Sequence, residues 1–468
     1  MRSSKSLDMT QGPILKKLLI FVIPAILTNL MQQLYTIADR VVVGRFAENG
    51  TVALAAVGST GSATAMFLNI FIGMAVGVNV VCANYRGARD EKNADRCMHT
   101  AIPLGFLCGM VVLILGELCC RPLLTLLGTP DNLMEGAELY TRIFFLGTPA
   151  SLTYNFASNI LRANGDTKRP MMILGLSGLV NVALNLVLVI GLNMSVAGVA
   201  VATIVSQYIS AVWALCILFS KKGEYKMSSR KMRLHGDMVW SIVKIGVPGG
   251  INGLVFTFSN TVILTGVNSF NSEIISAGKT AATDLALLIY QVVVGIYLGC
   301  ISFAGQCYGA RKYRRIDQVA LTAVGIGTVM LAVVGILITL FERTLLGLFV
   351  KAELAESQAV IDAGLGPLRL NAWFYVIYLY SEIPLGCMRG MKRSTVPSLL
   401  NIIGICGPRI IWTLLVFPAY RGMFALASDA LTFLFVCYPV SWIISAILQW
   451  SYYLIVRRKI LRSERVEA

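Results

Sequence analysis

Asp39 is the residue whose position most needs a chemical reason. It follows Ile37 and Ala38 and precedes Val41, Val42 and Val43 in an apolar run. An ionised side chain at the centre of a helix in hydrocarbon costs at least about 2.5–3.5 kcal/mol, so an acid kept there has a task or a partner. Desolvation favours its neutral form, which would let it take up a proton. Ionised, it could bind Na⁺ or pair with a substrate cation. The plain alternatives are a local pair with Arg40 or a side chain reaching for the outer surface. Neighbours in sequence do not face each other on a helix, so Arg40 need not neutralise Asp39. Asn181 and Asn185 stand four residues apart and share a helix face. Tyr140 and Thr203 begin or line neighbouring apolar stretches. Together the four could offer neutral oxygens to a hard cation, which prefers oxygen ligands. Taken singly, each reads equally as hydrogen-bonding glue between helices.

The second half of the chain holds other acids. Glu382 and Asp284 lie in apolar stretches and are alternative sites for an ion, although Glu382 could simply pair with Arg389. Pro24 and Pro248 each fall near the start of a long apolar run. A proline there frees a backbone carbonyl and permits a bend, so each is either a hinge or a fixed kink. Enzyme chemistry finds little support. H-E-x-x-H and G-x-S-x-G are both absent, and the only histidines are His99 and His235. Gly278-Lys279-Thr280 resembles the end of a phosphate-binding loop, but Glu273 stands where its first glycine belongs. No enzyme and no cofactor are expected. Any pumping must run on a gradient of Na⁺ or H⁺.

The elements that must position these residues follow from composition. Of 468 residues, 56% are hydrophobic and 14% charged, against about 25% charged in a soluble domain. The apolar residues form blocks long enough to cross a hydrocarbon core of about 30 Å. The expected spans are 16–43, 54–82, 98–116, 138–162, 170–193, 195–220, 240–266, 277–305, 318–340, 362–388, 397–418 and 424–456. Basic clusters recur after every second span, among them Arg86, Arg89, Lys92 and Arg96, then Arg162, Lys168 and Arg169, then Arg311, Lys312, Arg314 and Arg315. The positive-inside rule makes that face cytoplasmic, with both termini on it. The net charge of +16 is thereby explained by topology, and no nucleic-acid partner is expected. Most of the 11 cysteines, such as Cys108 and Cys437, lie in apolar runs and read as small buried hydrophobes. The first apolar run is too long for a cleavable signal and reads as a retained helix.

An internal repeat is legible at one constant spacing. Gly44 matches Gly266, Ala55 matches Ala277, Gly73 matches Gly295, and Gly87-Ala88-Arg89 matches Gly309-Ala310-Arg311. With a short slippage, Arg162 through Pro170 matches Arg389 through Pro397. The register sets Thr261 opposite Asp39, so the halves differ chemically. The expected fold is an all-α integral membrane protein of twelve transmembrane helices, in two pseudo-symmetric six-helix bundles around a central cleft. The lobes are 1–220 and 238–468, and the polar stretch 221–237 is a cytoplasmic linker. Two such lobes can open a cleft to either side by rocking.

Read as a whole, the sequence resembles the multidrug and toxic compound extrusion (MATE) family over nearly its whole length. The matching stretches are Pro24 through Gly44 with I-A-D-R-V-V-V-G, Arg162 to Pro170, V-A-G-V-A-V-A-T-I-V-S-Q at 196–207, Arg389 to Pro397, and Tyr438-Pro439-Val440-Ser441-Trp442. The resemblance implies antiport of cationic or amphipathic drugs against Na⁺ or H⁺ in the cytoplasmic (inner) membrane, by a monomer among lipids. It also implies a cation site at Asp39, Tyr140, Asn181, Asn185 and Thr203, with Na⁺ a possible occupant at Asp39. Archaeal-type members have Asp where this chain has Asn185, which leaves Asp39 as the one acid of that site. The competing reading is a flippase for lipid-linked precursors from the same superfamily. Twelve spans and an anionic Asp39 favour cation export over it.

Overall fold

The computed structural model describes residues 7–46, 50–126, 129–220, 225–348 and 357–467, with the side chains of 40, 44–45, 50–59, 62–63 and 463–467 left aside. Residues 221–224 of the expected linker, residues 47–49 between the first two expected spans, and the Arg40 side chain thus fall outside the description. All regular structure among the described residues is helical: α1 (Ile14–Phe46), α2 (Gly50–Gly87), α3 (Glu91–Leu126), α4 (Asp131–Leu146), α5 (Thr148–Ala163), α6 (Lys168–Asn185), α7 (Ser195–Phe219), α8 (Gly236–Asn268), α9 (Glu273–Gly309), α10 (Tyr313–Gly347), α11 (Ser357–Gly390), α12 (Thr395–Asn401), α13 (Gly407–Ile411), α14 (Phe417–Tyr420), α15 (Ala427–Phe435) and α16 (Cys437–Glu467). Widened π-helical turns occupy Leu186–Gly191, Ile402–Cys406 and Trp412–Val416.

Among the described residues, ten helical stretches are long and apolar enough to cross a membrane. Large apolar side chains such as Leu118, Val212 and Leu340 point outward, as lipid requires and water would not tolerate in such number. Two expected spans, 138–162 and 362–388, are not among the ten. The stretch 138–162 is interrupted at Gly147, which separates α4 from α5. Pro149 explains the break, since proline suits the first turn of a new helix. α11 is long enough but less apolar, because Asn371, Tyr375, Tyr378, Ser381 and Glu382 all sit in its middle.

The chain divides into two compact units. The first holds 1–254 with 305–311 and 390–392, and the second holds 255–304, 312–389 and 393–468. In the first unit, a Cβ added at Gly73 or Gly250 would strike the backbone of the facing helix, so α2 and the start of α8 pack backbone to backbone. A Cβ at Gly178 would overlap the Tyr35 ring, whose hydroxyl donates to the Gly175 carbonyl at 2.9 Å. α1 is thereby locked against α6. In the second unit, a Cβ at Gly404 would lie 2.7 Å from Ser445 Cα. There Ser445 Oγ donates to Asn401 Oδ1 at 2.8 Å and Gln449 Nε2 to the Pro397 carbonyl at 2.8 Å. The repeat is visible in the backbone as well. Arg89 and Arg311 end their helices with φ of 56° and 57°, a left-handed turn that few non-glycine residues adopt.

Candidate functional site

Three of the four residues expected around Asp39 reach it directly or through one another. α1 brings the half-buried Asp39 against the end of α6 and the middle of α7. Asn185 Nδ2 donates to Asp39 Oδ1 at 2.5 Å and also approaches Asn181 Oδ1 at 3.3 Å. Thr203 Oγ1 lies 3.4 Å from Asp39 Oδ2, but its shorter bond is to the Val199 carbonyl at 2.9 Å. Tyr140 packs on the valine cluster of Val42, Val43, Val189, Val196 and Val199, one turn from the carboxylate. Asn181, Asn185 and Thr203 are thus gathered at Asp39, and Tyr140 at the valines beside it.

The local helix geometry explains how. Asn185 is the last residue before the π-helical turn Leu186–Gly191, and such turns recur at functional sites. Asn181 and Asn185 are both buried, and Asn185 Oδ1 has no hydrogen-bond partner. An orphaned buried oxygen is costly unless something meets it. With two carboxylate oxygens and neutral amide and hydroxyl oxygens nearby, the donor set suits a proton or a hard monovalent cation. No cluster of three or more His, Cys, Asp or Glu capable of holding a metal ion exists among the described residues.

The alternative acids have different surroundings. Glu382 is buried in α11 and hydrogen-bonds with the Tyr378 and Asn401 side chains, with Arg389 acting on it electrostatically. Arg389 makes its own hydrogen bonds to Tyr297 Oη and, at 3.0 Å, to Ser398 Oγ. Asp284 sits beside Lys279 in α9, so the Gly278-Lys279-Thr280 stretch is helix and not a phosphate loop. Both prolines lie inside unbroken helices. Pro24 is buried in α1, where its carbonyl accepts the Thr28 hydroxyl at 2.6 Å, and Pro248 is half-buried in α8.

One charged residue escaped the sequence analysis. Arg409 of α13 is wholly buried in the second unit. A basic residue inside the run 397–418 was as visible as Asp39, had the rule for intramembrane charges been applied to cations too.

A family model, MatE, matches residues 24–187 and 248–415, two segments that begin at the two helix prolines. The chain belongs to the MatE family. Its MatE segments include every residue of the Asp39 cluster except Thr203, which lies just beyond the first. Among its relatives is the probable multidrug resistance protein YoeA of Bacillus subtilis, 25% identical over 94% of this chain and 93% of that one. Another is YpnP of the same organism, also a probable multidrug resistance protein, 28% identical over 89% and 92%. A solved multidrug resistance MATE family transporter in an outward-facing conformation shares the fold. It has a TM-score of 0.87 and 21% identity over 99% of this chain and all of that one. This MatE protein is accordingly a multi-pass membrane transporter.

Proposed function

We propose that the protein is a secondary active antiporter that exports organic cations or drugs in exchange for Na⁺ or H⁺ by alternating access. The observation that carries the reading is the Asp39 cluster: one half-buried carboxylate held by Asn185 and Thr203, with the buried Asn185 Oδ1 unmet. Coupling needs a group whose occupancy differs between two states, because a ligand shifts an equilibrium only by its differential affinity for them. A carboxylate that can exchange its hydrogen bonds for a cation or a proton is such a group. Pro24 and Pro248, each in the opening half of a long helix, are the natural hinges. The probable multidrug resistance role of the relatives points to small cationic or amphipathic substrates. The α4–α5 pair and α11 supply two further crossings beyond the ten apolar ones. Twelve crossings would leave both termini on one side of the cytoplasmic membrane, and the basic clusters support the cytoplasmic side. The protein acts as a monomer, with 221–237 linking its halves.

The test is drug efflux in inverted membrane vesicles under a Na⁺ gradient and an H⁺ gradient imposed separately, without ATP. Accumulation should follow one gradient and collapse with the matching ionophore. Transport that needs ATP while both gradients are clamped would sink the proposal.

A further inference from the structure

We infer that Arg409 forms a binding site for an anionic group, a phosphate or carboxylate carried by a soluble organic molecule, inside the second unit. The inference rests on the transporter reading for its purpose but not for its geometry. The Arg409 side chain has no exposure. Its Nε donates to Ser441 Oγ at 3.1 Å and its Nη1 to Asn260 Oδ1 at 3.2 Å. Its Nη2 has no hydrogen-bond partner. The guanidinium carbon lies 4.3 Å from the centre of the Tyr438 ring and 4.9 Å from that of Phe256. Every contact is therefore neutral. Two aromatic faces ease a cation's burial, but they leave its charge uncancelled, and a buried charge is ordinarily paired.

The planar guanidinium is already fixed on two of its three nitrogens, and the third is free. Arginine recognises carboxylate and phosphate through such a fork. A second unmet group stands on the same helix. Thr413 Oγ1, one turn beyond Arg409, is buried without a partner, and a Cβ at Gly266 of α8 would lie 3.0 Å from its methyl group. Thr413 therefore faces α8, as Arg409 does through Asn260 and Phe256. Arg409 also sits between the π-helical turns Ile402–Cys406 and Trp412–Val416, an irregularity that recurs at functional sites. Asn260, one of the two side chains that hold the guanidinium, is exposed. An internal water could satisfy Nη2, but it would not neutralise the charge.

The experiment uses the full-length protein, purified in detergent and free of anionic lipid. Binding of phenyl phosphate, inorganic phosphate, added phosphatidylglycerol and benzyltrimethylammonium is measured by calorimetry and by thermal shift at matched ionic strength. Phenyl phosphate should bind and raise Tm. Inorganic phosphate should bind more weakly for want of ring contacts, and the ammonium probe should gain nothing from Arg409. Arg409→Gln should lose phenyl phosphate affinity at least about tenfold, and Arg409→Lys should keep part of it. Asp39→Asn should bind phenyl phosphate as the native protein does. No binding of either anion to the native protein overturns the inference, whether or not the variants fold. Equal binding by Arg409→Gln also overturns it. Binding of phosphatidylglycerol alone would make the site a lipid site and overturn the soluble-ligand assignment. Failure of gradient-driven efflux would sink the transporter reading and leave these equilibrium results standing.

Discussion

One polar cluster in each unit sits beside a widened helical turn, and the two clusters carry opposite charges. In the first, Asp39 of α1 meets Asn185 just before a π-helical turn. In the second, Asn260 of α8 meets Arg409 between two such turns. Asn260 is the neighbour of Thr261, which occupies the repeat position of Asp39. The long first helix of each repeat thus presents a polar side chain to the helix that carries the widened turn. The scaffold repeats, but the charge lies on the long first helix in one unit and on the helix of the widened turns in the other. The lesson is that a repeat in sequence predicts where a polar site falls and says little about what the site binds.

The comparison breaks most sharply at Asp39. Asp39→Asn keeps the size of the side chain and can still hydrogen-bond with Asn185, but it cannot carry a proton or a full negative charge. Gradient-driven efflux should fall to the uncoupled background, a loss of up to about 150-fold if the coupling free energy is about 3 kcal/mol. Expression and Tm should hold or rise, since a desolvated charge has been removed. Vesicle efflux and a thermal melt on the same preparation check both halves of the expectation. Normal coupled efflux would move the ion site to the second unit, where Glu382 with its Tyr378 and Asn401 partners is next to be replaced.

Gly178 gives the next largest effect, because it sets the distance between α1 and α6. A Cβ there would overlap Tyr35. Gly178→Ala should therefore lower stability by about 1–3 kcal/mol, the usual cost of overpacking, and weaken ion coupling by separating Asp39 from Asn185. Gly404→Ala meets Ser445 in the second unit and should lower stability comparably while sparing ion coupling. Equal loss of coupling in both variants would mean that general destabilisation, not the α1–α6 distance, is being read.

Much of this was legible beforehand, and the limits have physical causes. The Asp39 cluster could be assembled from sequence because an acid among valines and an i, i+4 asparagine pair are rare in apolar runs. The helical character followed from block hydrophobicity. The break at Gly147 was less visible, because a glycine and a nearby proline inside an apolar run also occur in unbroken helices, as Pro24 and Pro248 show. The surroundings of Arg409 could not be read at all. Its ring contacts come from α8 and α16, far apart in the chain, and only tertiary packing joins Phe256, Asn260, Tyr438 and Ser441.

Asn185 sharpens the comparison from the neutral side. Asn185→Ala removes the short donor to Asp39. A hydrogen bond to a charged group contributes about 1.5–3 kcal/mol, so apparent affinity for the coupling ion should change about tenfold or more without abolishing transport. Asn185→Asp adds a second acid beside Asp39 and should raise apparent Na⁺ affinity, read as a lower half-saturating Na⁺ concentration for efflux. No gain would argue that the site takes a proton.

Thr203→Val should do least, and its size is the finest test of the geometry. The Thr203 hydroxyl donates well to the Val199 carbonyl at 2.9 Å and reaches Asp39 Oδ2 only at 3.4 Å, beyond the usual range for an O–H donor. Valine fills nearly the same volume and leaves the Val199 carbonyl within its own helix. What is lost is one weak contact to the carboxylate, so the expected change is at the lower end for a hydrogen bond, about 0.5 kcal/mol or roughly twofold in ion affinity. Half-saturation of efflux by the coupling ion measures it directly. A tenfold loss would mean that the hydroxyl turns from Val199 to the ion when the site fills. Thr203 would then be a true ligand, and the hydrogen bonding of the ion-free cluster would differ from that of the loaded one.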